Sequence, residues 1–330
     1  MKTVLITGGA GFIGSHLSDA YLKAGWKVIA IDDLSTGRLE NLQSAGKSSN
    51  FTFVEGDIRN DAVIGPAMRQ SDLVVHLAAR IGLKLVIESP LKTLESNVKG
   101  TEVVLRHAAV SGTPTIVAST SEVYGLATKY PSSEEDPVMF GSPTAGRWSY
   151  ACSKAYDESL SIAHHRENGL PAIVVRLFNT VGPRQTARYG MVLPRFIRQA
   201  LAGEPLTVYG AGDQTRCFGH VADIVGGLMR LAQEPKAIGQ VINLGNPHEI
   251  AIADLAKKIL QATGSSAEIK LVPFEEAYGA GFEEIMRRVP DIEKARKLIG
   301  FAPQFGLDDI VRDVVEEQRL HFAAAGASQP

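Results

Sequence analysis

The stretch TVLITGGAGFIGSHL, residues 3–17, decides the fold, because an apolar run leads into glycines and then into an amphipathic segment. Gly8, Gly11 and Gly14 are spaced three residues apart at this predicted strand-to-helix turn. Glycines there let the backbone approach a pyrophosphate closely, and the first turn of the helix offers free N–H groups. The stretch therefore predicts a dinucleotide-binding turn, which also brings Phe12 and Ile13 to the cofactor.

Outward from this turn, short apolar runs alternate with longer amphipathic segments up to about residue 180. The runs that predict strands are TVLIT, KVIAID, FTFVEGD, LVVHLAA, TIVAST and AIVVRLF. Strands that are apolar throughout suit a parallel sheet covered on both faces. The predicted fold class is α/β: a doubly wound, Rossmann-like parallel sheet with a smaller, partly interleaved α/β lobe. We place the sheet domain at 1–180, with segments near 212–245 returning to it, and the lobe at 181–330.

Composition excludes several classes of function. The 330 residues are 45% hydrophobic and 21% charged, with a formal net charge of -2, so neither disorder nor a nucleic-acid partner is expected. The only two cysteines, Cys152 and Cys217, have no disulfide-framework or metal-ligand spacing, so we expect no metal and a cytoplasmic location. No run of roughly 20 apolar residues suggests a membrane span.

An acidic residue ends the second predicted strand. Asp32 stands 24 residues after Gly8, where a carboxylate can accept hydrogen bonds from the adenosine ribose hydroxyls and repel a 2′-phosphate. This position indicates NAD rather than NADP as cofactor, and the alternative is a cap for the turn LSTG that follows. After the third strand, Asp57 and Ile58 are predicted to hold the edge and face of the adenine.

Four further motifs carry a family resemblance. TGGAGFIGSH, HLAA at 76–79, SNVKGT at 96–101 and Tyr150 with Lys154 together resemble the extended short-chain dehydrogenase/reductase family, in particular its sugar-nucleotide epimerases, dehydratases and decarboxylases. The resemblance covers nearly the whole chain. It implies that Leu77, Ala78 and Ala79 line the cofactor channel and that Asn97 steadies the region behind the active site. It also implies a homodimer formed through the helical stretches 91–110 and 150–167.

Tyr150 and Lys154 are the predicted acid–base pair. They lie four residues apart near the start of a predicted helix, so both project from one face. Alone, this pattern is most often a surface pair. Behind a dinucleotide fold, a nearby ammonium and an oxidised nicotinamide would both favour the phenolate, and Lys154 can also hold the nicotinamide ribose. The resemblance implies that Thr120 bonds the oxygen on sugar C4 while Tyr150 removes its proton and hydride passes to NAD.

Glu122, in ASTSEVYG at 118–125, indicates which reaction follows. The 4-epimerases usually have small or β-branched residues here, and a carboxylate suggests chemistry at C5. The dTDP-glucose dehydratases carry Asp-Glu at positions 121 and 122, whereas Ser121 here gives the Thr-Ser-Glu of the UDP-glucuronate decarboxylases, a triplet shared with GDP-mannose 4,6-dehydratases. The alternative is a solvated loop carboxylate or a partner for an arginine.

The leading hypothesis is therefore decarboxylation of UDP-glucuronate to UDP-xylose through a 4-keto intermediate. A UDP-hexose or UDP-uronate 4-epimerase, a 4,6- or 5,6-dehydratase and a non-catalytic NAD-binding sensor stay open. Two departures from the decarboxylases keep them so: ARYGMVLPRF is closer to the epimerases, and HLAARIGLK replaces a Ser/Pro-rich loop.

The second half of the chain resembles the family's clamp for a UDP-sugar. The clamp segments are FNTVGPRQ at 178–185, GEPLTVYGAGDQTRCF at 203–218 and RRVPD at 287–291. A diphosphate needs fixed donors, which arginine provides in forked form. By resemblance the substrate-binding residues, besides Ser121, are Asn179 and Arg216 for phosphate and sugar, Arg288 for the diphosphate, Arg184 for the C6 substituent and Tyr209 for the uracil. A surface salt bridge is the alternative for each arginine.

Overall fold

A seven-stranded parallel sheet forms the centre of the molecule, in a computed structural model that describes residues 1–188, 190–279 and 282–327. The strands of the described chain are β1 (Thr3–Thr7), β2 (Lys27–Asp32), β3 (Phe51–Glu55), β4 (Leu73–His76), β5 (Thr115–Thr120), β6 (Ala172–Leu177), β7 (Thr180–Val181), β8 (Leu206–Tyr209), β9 (Thr215–Cys217), β10 (Gly219–His220), β11 (Val241–Leu244), β12 (Glu249–Ala251) and β13 (Ile269–Val272).

Helices cover both faces of this sheet and build the lobe beside it. They are α1 (Phe12–Lys23), α2 (Asp61–Met68), α3 (Leu83–Glu88), α4 (Pro90–Ser111), α5 (Trp148–Asn168), α6 (Val192–Ala202), α7 (Val221–Leu231), α8 (Ile252–Thr263), α9 (Phe274–Tyr278), α10 (Glu293–Ile299) and α11 (Leu307–Ala327). None of them, within the described ranges, has the length and apolar character needed to cross a bilayer.

The order of the strands determines where a ligand can bind. Across the sheet they run β11-β6-β5-β4-β1-β2-β3, and every pairing is parallel. From β1 the chain first builds β2 and β3 on one side and then returns to place β4, β5 and β6 on the other. In doubly wound sheets such a reversal opens a crevice beyond the carboxyl ends of the strands. The predicted α/β fold class is thus confirmed.

The three largest apolar cores among the described residues hold the layers together. On one face of the sheet, Leu17 and Tyr21 of α1 pack with Val225 and Leu228 of α7. The opposite face buries residues of α2 and α4, and the smaller lobe has a core of its own made by α6, α8, α11 and β8. Apart from the edge strand β3, the sheet strands are buried almost throughout, as expected when both faces are covered.

Three predicted strands are shorter in the structure. The runs FTFVEGD, LVVHLAA and AIVVRLF end as strands at Glu55, His76 and Leu177, so the residues after them lie in loops at the carboxyl edge. Later the chain does return to the central sheet, since β11 pairs with β6 and α7 packs on α1. The packing of α10 against β11 was not indicated by the sequence. The domain boundaries themselves stay predictions.

Candidate active site

One cleft runs along the carboxyl edge of the sheet and continues into the smaller lobe. Every residue of the predicted cofactor channel except Asn97 lines it, and so do the four predicted catalytic residues: Gly8, Gly11, Phe12, Ile13, Gly14, Asp32, Asp57, Ile58, Leu77, Ala78, Ala79, Thr120, Glu122, Tyr150 and Lys154. Residues distant in sequence therefore meet at the crevice that the strand order predicts.

The glycine turn forms the floor of this cleft. Gly8 adopts φ +70°, and a Cβ there would lie 2.8 Å from the backbone nitrogen of Ala78, so only glycine fits. Gly11 precedes α1 as its N-cap residue and provides no side chain, which leaves the first N–H groups of the helix facing the cleft. This cradle suits a pyrophosphate.

Asp32 is buried at the end of β2 and is held by backbone donors. Its carboxylate accepts hydrogen bonds from Ala10 N at 3.0 Å and from Leu34 N at 2.9 Å. Burial raises the pKa of this carboxyl, and the two backbone bonds oppose that rise. Each oxygen keeps a lone pair for a ribose hydroxyl, whereas a 2′-phosphate would meet a fixed acceptor, so the residues fit NAD. Asp57 is paired with Arg59, whose side-chain hydrogen bond lowers its pKa.

The acid–base group lies where β5 ends and α5 begins. Thr120 is the last residue of β5, and its hydroxyl accepts from Glu122 N at 3.2 Å. The same hydroxyl lowers the pKa of Tyr150, against the larger effect of burial. Tyr150 and Lys154 are buried on the first turns of α5. Burial raises the pKa of Tyr150, and the Glu122 charge raises it further. A cationic nicotinamide beside the phenol would act in the opposite direction.

Glu122 and Arg288 form an ion pair inside the cleft. Glu122 lies in the 3-10 turn that follows β5, and its Oε1 is 3.3 Å from Arg288 Nη1. Both side chains line the cleft and are partly exposed to it, at 24% and 15%. The pairing is the alternative that the sequence left open for Glu122, but it lies beside Tyr150 rather than on the surface. For Arg288, contact with a diphosphate stays a prediction.

The other predicted substrate residues separate into two groups. Ser121, Asn179, Tyr209 and Arg216 line the cleft. Arg184 is not among the residues that line it: its guanidinium bonds Asp19 at 2.7 Å, and its backbone N–H donates to Glu317. Arg184 has φ +68°, so the chain turns there and the side chain is directed to α1. A contact of Arg184 with the C6 substituent finds no support in this geometry.

Asn97 lies behind the cleft wall rather than in it. Its Oδ1 accepts from Arg80 N at 2.8 Å, and its Nδ2 donates to Ser153 Oγ at 3.2 Å. These bonds join α4 to α5 and to the loop after β4, which matches the steadying role that the resemblance implies.

Sequence reasoning missed several charged residues of the cleft, among them Arg147 and Glu284. Glu284 Oε1 accepts from Arg216 Nη2 at 2.9 Å and lies 3.9 Å from Arg147 Nη2. Arg147 lies between the rings of Trp148 and Phe282, with its Cζ 5.1 Å and 5.3 Å from their centroids. Burial, followed by the charge of a neighbouring arginine, lowers the pKa of Arg216 to about 10. The one available signal was an arginine three residues before Tyr150.

The end of the cleft where uracil is predicted to bind is aromatic. Tyr209 stacks under the Arg195 guanidinium, with a Cζ-to-centroid distance of 4.3 Å, and its ring meets the ring of Tyr278 edge-on at 5.2 Å.

Among the described residues no group of three or more His, Cys, Asp or Glu is arranged to hold a metal ion.

Comparison with known proteins gives one family. The family model described as GDP-mannose 4,6 dehydratase matches residues 5–314. The chain is 39% identical to the UDP-N-acetyl-alpha-D-glucosaminuronate decarboxylase of Bacillus cytotoxicus, over 96% of this chain and 97% of that protein. It is 39% identical to UDP-glucuronic acid decarboxylase 1 of Xenopus tropicalis, over 93% and 70%. The solved UDP-glucuronic acid 4-epimerase of Bacillus cereus, in complex with UDP-glucuronic acid and NAD, is 30% identical with a TM-score of 0.87, over 97% of this chain and 99% of that one.

Proposed function

The chain belongs to the GDP-mannose 4,6-dehydratase family, and from that premise we propose that it is an NAD-dependent enzyme that decarboxylates UDP-glucuronate to UDP-xylose. Two relatives named as decarboxylases of UDP-linked uronates support the reaction class. Oxidation of the sugar at C4 would turn the C6 carboxylate into that of a β-keto acid, which loses carbon dioxide readily. Bound NAD would supply the hydride acceptor at C4 and the hydride that returns there.

The observation that carries this proposal is the Glu122–Arg288 pair beside Tyr150. Besides burial, both charges act on the Tyr150 phenol, Glu122 raising its pKa and Arg288 lowering it, so both lie close to the reacting carbons. A guanidinium there can orient a C6 carboxylate, and a neighbouring carboxylate repels that group until it leaves as neutral carbon dioxide. A neutral C6 hydroxyl would leave this ion pair without use.

The remaining residues take roles that their positions support. Tyr150 accepts the proton of the C4 hydroxyl, while the Thr120 hydroxyl bonds the same oxygen. The C5–C6 bond then breaks, and the electron pair stays in a C4–C5 enolate whose oxygen Tyr150 and Thr120 hold. A proton from solvent adds to C5, and Tyr150 gives its proton back to the C4 oxygen when carbon C4 is reduced. Lys154, four residues later on the same face of α5, places its side chain on the side of the phenol.

The test is a reaction in deuterium oxide with mass analysis of the product. A decarboxylase places one solvent deuteron at C5 of a five-carbon sugar. UDP-glucuronate and UDP-N-acetylglucosaminuronate are offered in parallel, because the relatives carry both substrates in their names. We expect turnover of UDP-glucuronate. A five-carbon product from the N-acetylated sugar alone would correct the substrate but keep the reaction.

A UDP-hexuronate 4-epimerase is the second candidate, since the solved epimerase shares the fold over 97% of this chain. An epimerase returns a six-carbon sugar with inverted C4 and no solvent label at C5. A 4,6-dehydratase would also keep six carbons but would take up deuterium at C5. Product mass and label position together separate the three reactions, and an unlabelled six-carbon product would replace the decarboxylase with the epimerase.

We also propose that the enzyme is a homodimer in the cytoplasm. The resemblance predicts an interface built from α4 and α5, and these two helices pack side by side. Tyr156 of α5 and Leu91 of α4 are exposed in the single chain, by 42% and 67%. Two unpaired cysteines, Cys152 and Cys217, suit a reducing compartment.

A further inference from the structure

The Lys154 ammonium has a buried counter-ion that the chemistry above does not use. Asp157 lies on α5 three residues after Lys154, and its Oδ2 accepts a hydrogen bond from Lys154 Nζ at 3.0 Å. The two side chains are only 3% and 0% exposed. Since Tyr150, Lys154 and Asp157 stand at positions i, i+4 and i+7 of one helix, all three lie on its inward face.

Hydrogen bonds also link the central strands to Thr101 of α4. Thr101 Oγ1 is 3.0 Å from His76 Nε2. The other ring nitrogen, His76 Nδ1, is 2.7 Å from Thr7 Oγ1. The chain thus begins one residue before the glycine turn and ends at Thr101, whose hydroxyl, with the Lys154 charge, lowers the pKa of Asp157 against the larger effect of burial.

One set of proton positions satisfies this chain. Ala78 N donates to Thr7 Oγ1 at 3.3 Å, so the Thr7 hydroxyl can direct its own proton to His76 Nδ1. His76 must then carry its proton on Nε2 and donate it to Thr101 Oγ1. A neutral ring agrees with its surroundings, because burial, with the Lys154 charge second, lowers the pKa of His76 to about 3.

We propose that Asp157 is a positioning residue that fixes the Lys154 ammonium beneath the catalytic tyrosine and offsets part of its charge. The inference rests only on that part of the proposed function in which Tyr150 exchanges a proton, and not on the identity of the sugar. Tyr150 has to take a proton and later return it, and a phenol kept permanently ionised by an uncompensated lysine would do the second step poorly.

Several other charges face the same groups. Burial raises the pKa of Tyr150 most. The charges of Glu122, from the 3-10 turn, and of Asp157 raise this pKa further, whereas the Thr120 hydroxyl and the Arg288 charge lower it. Removing only the Asp157 charge leaves the other contributions in place.

Two further charged or titratable groups complete these surroundings. Glu158, beside Asp157 on α5, raises the pKa of Asp157, to which burial contributes most. His76 approaches Lys154 from β4 as a neutral ring. Neither group compensates for a lost Asp157 charge, because one is already paired elsewhere and the other is uncharged.

The experiment titrates Tyr150 in the NAD-bound protein by phenolate absorbance, with the Tyr150→Phe protein as the reference that removes the signal of the other tyrosines. Asp157→Asn is nearly isosteric and leaves Lys154 an amide oxygen to bond. We expect its ionisation midpoint to move to lower pH by about one unit, from the loss of one negative charge at short range. Asp157→Glu, which restores the charge, should return the midpoint toward the wild-type value.

The matched control is Glu158→Gln, which removes the neighbouring buried carboxylate. Glu158 pairs with Arg176 at 2.7 Å and with Ser119 at 2.5 Å, and makes no bond to Lys154 among the described contacts. It should leave the midpoint in place. Asp157→Ser is titrated as well, so that the test does not depend on the folding of one variant. An unchanged midpoint in every folded charge-removing variant overturns the proposal, whereas failure to turn over any sugar would affect only the proposed function.

Discussion

Glu122 and Arg288 lie 166 residues apart in the chain and 3.3 Å apart in the cleft. If the pair serves the carbon beside the ketone, Glu122→Gln should slow the C5 step while leaving oxidation at C4 intact. We expect the steady-state rate to fall by about tenfold to hundredfold, as for the loss of a positioned charge, with a 4-keto sugar accumulating. Rapid quench with mass analysis detects that species.

The matched change in this turn is Ser121→Ala, because Ser121 lines the same wall but carries no charge. It should accumulate no 4-keto sugar. If Glu122→Gln slowed C4 oxidation instead, the carboxylate would act through Tyr150, whose pKa it raises, and not at C5.

At the scale of elements, the segment 282–288 brings one carboxylate, Glu284, and one arginine, Arg288, to the cleft. Glu284 accepts a hydrogen bond from Arg216 at 2.9 Å, and Arg216 is the donor that a diphosphate is predicted to need. We therefore expect Glu284→Gln to bind UDP about fivefold more tightly, corresponding to about 1 kcal/mol, because a negative charge is removed where a dianion must enter. Isothermal titration with UDP measures the change.

Glu283→Gln is the control for this segment. Glu283 accepts from Trp148 Nε1 at 2.6 Å and has no described bond to Arg216, so the same change of charge one residue away should alter UDP affinity little. Weaker binding of UDP by Glu284→Gln would show that Glu284 orders the arginines rather than competing with the ligand.

The same elements show how far sequence could lead. The runs TVLIT, KVIAID and TIVAST are apolar throughout, so local pattern alone predicted their strands and, with the glycine turn, the cofactor cradle. The strand pairs β7–β10 and β9–β12 have two or three residues each and exist only through pairing across the fold, which no local pattern contains.

The substrate side shows the same limit at single residues. Arg216 and Tyr209 were predicted by resemblance and line the cleft. Glu284 and Asp157 could be recognised only from their partners in the structure. Glu284 bonds Arg216, which lies 68 positions away in the chain, and Asp157 bonds a lysine that is buried on the same helix face. Arg184 was predicted at the sugar, but its own left-handed backbone conformation directs its side chain to Asp19.

At the scale of the whole molecule, His76 links global stability to pH. The folded chain holds it neutral with a pKa of about 3, chiefly because of burial, while an unfolded chain takes up a proton near 6.5. Between these values the unfolded state binds more protons, so the contribution of His76 to stability falls as pH falls from 6.5 toward 3. The slope is at most about 1.4 kcal/mol per pH unit.

Urea unfolding of the wild type and of His76→Leu at pH 7 and pH 5 measures this contribution. The unfolding free energy of the wild type minus that of His76→Leu should be smaller at pH 5 than at pH 7, whatever the lost hydrogen bonds cost at pH 7. His321→Leu, at an exposed position of α11, is the control. A difference independent of pH would mean that the imidazole takes up its proton in the fold as readily as in the unfolded chain.

The outer surface of α4 and α5 is the predicted interface of the homodimer. On α5 the outward residues Cys152, Ser159 and Ala163 follow one another at helical spacing, and all are small enough to let a second helix pair approach closely. Light scattering at micromolar concentration should give twice the 35.4 kDa of the chain.

Ser159→Arg places a long charged side chain in the middle of this surface and should produce monomers that still bind NAD, because Ser159 is exposed and bonds only within its own helix. Ser49→Arg makes the same change at an exposed position outside both helices and should remain dimeric. A wild-type monomer, or a dimer that survives Ser159→Arg, would place the interface elsewhere or remove it.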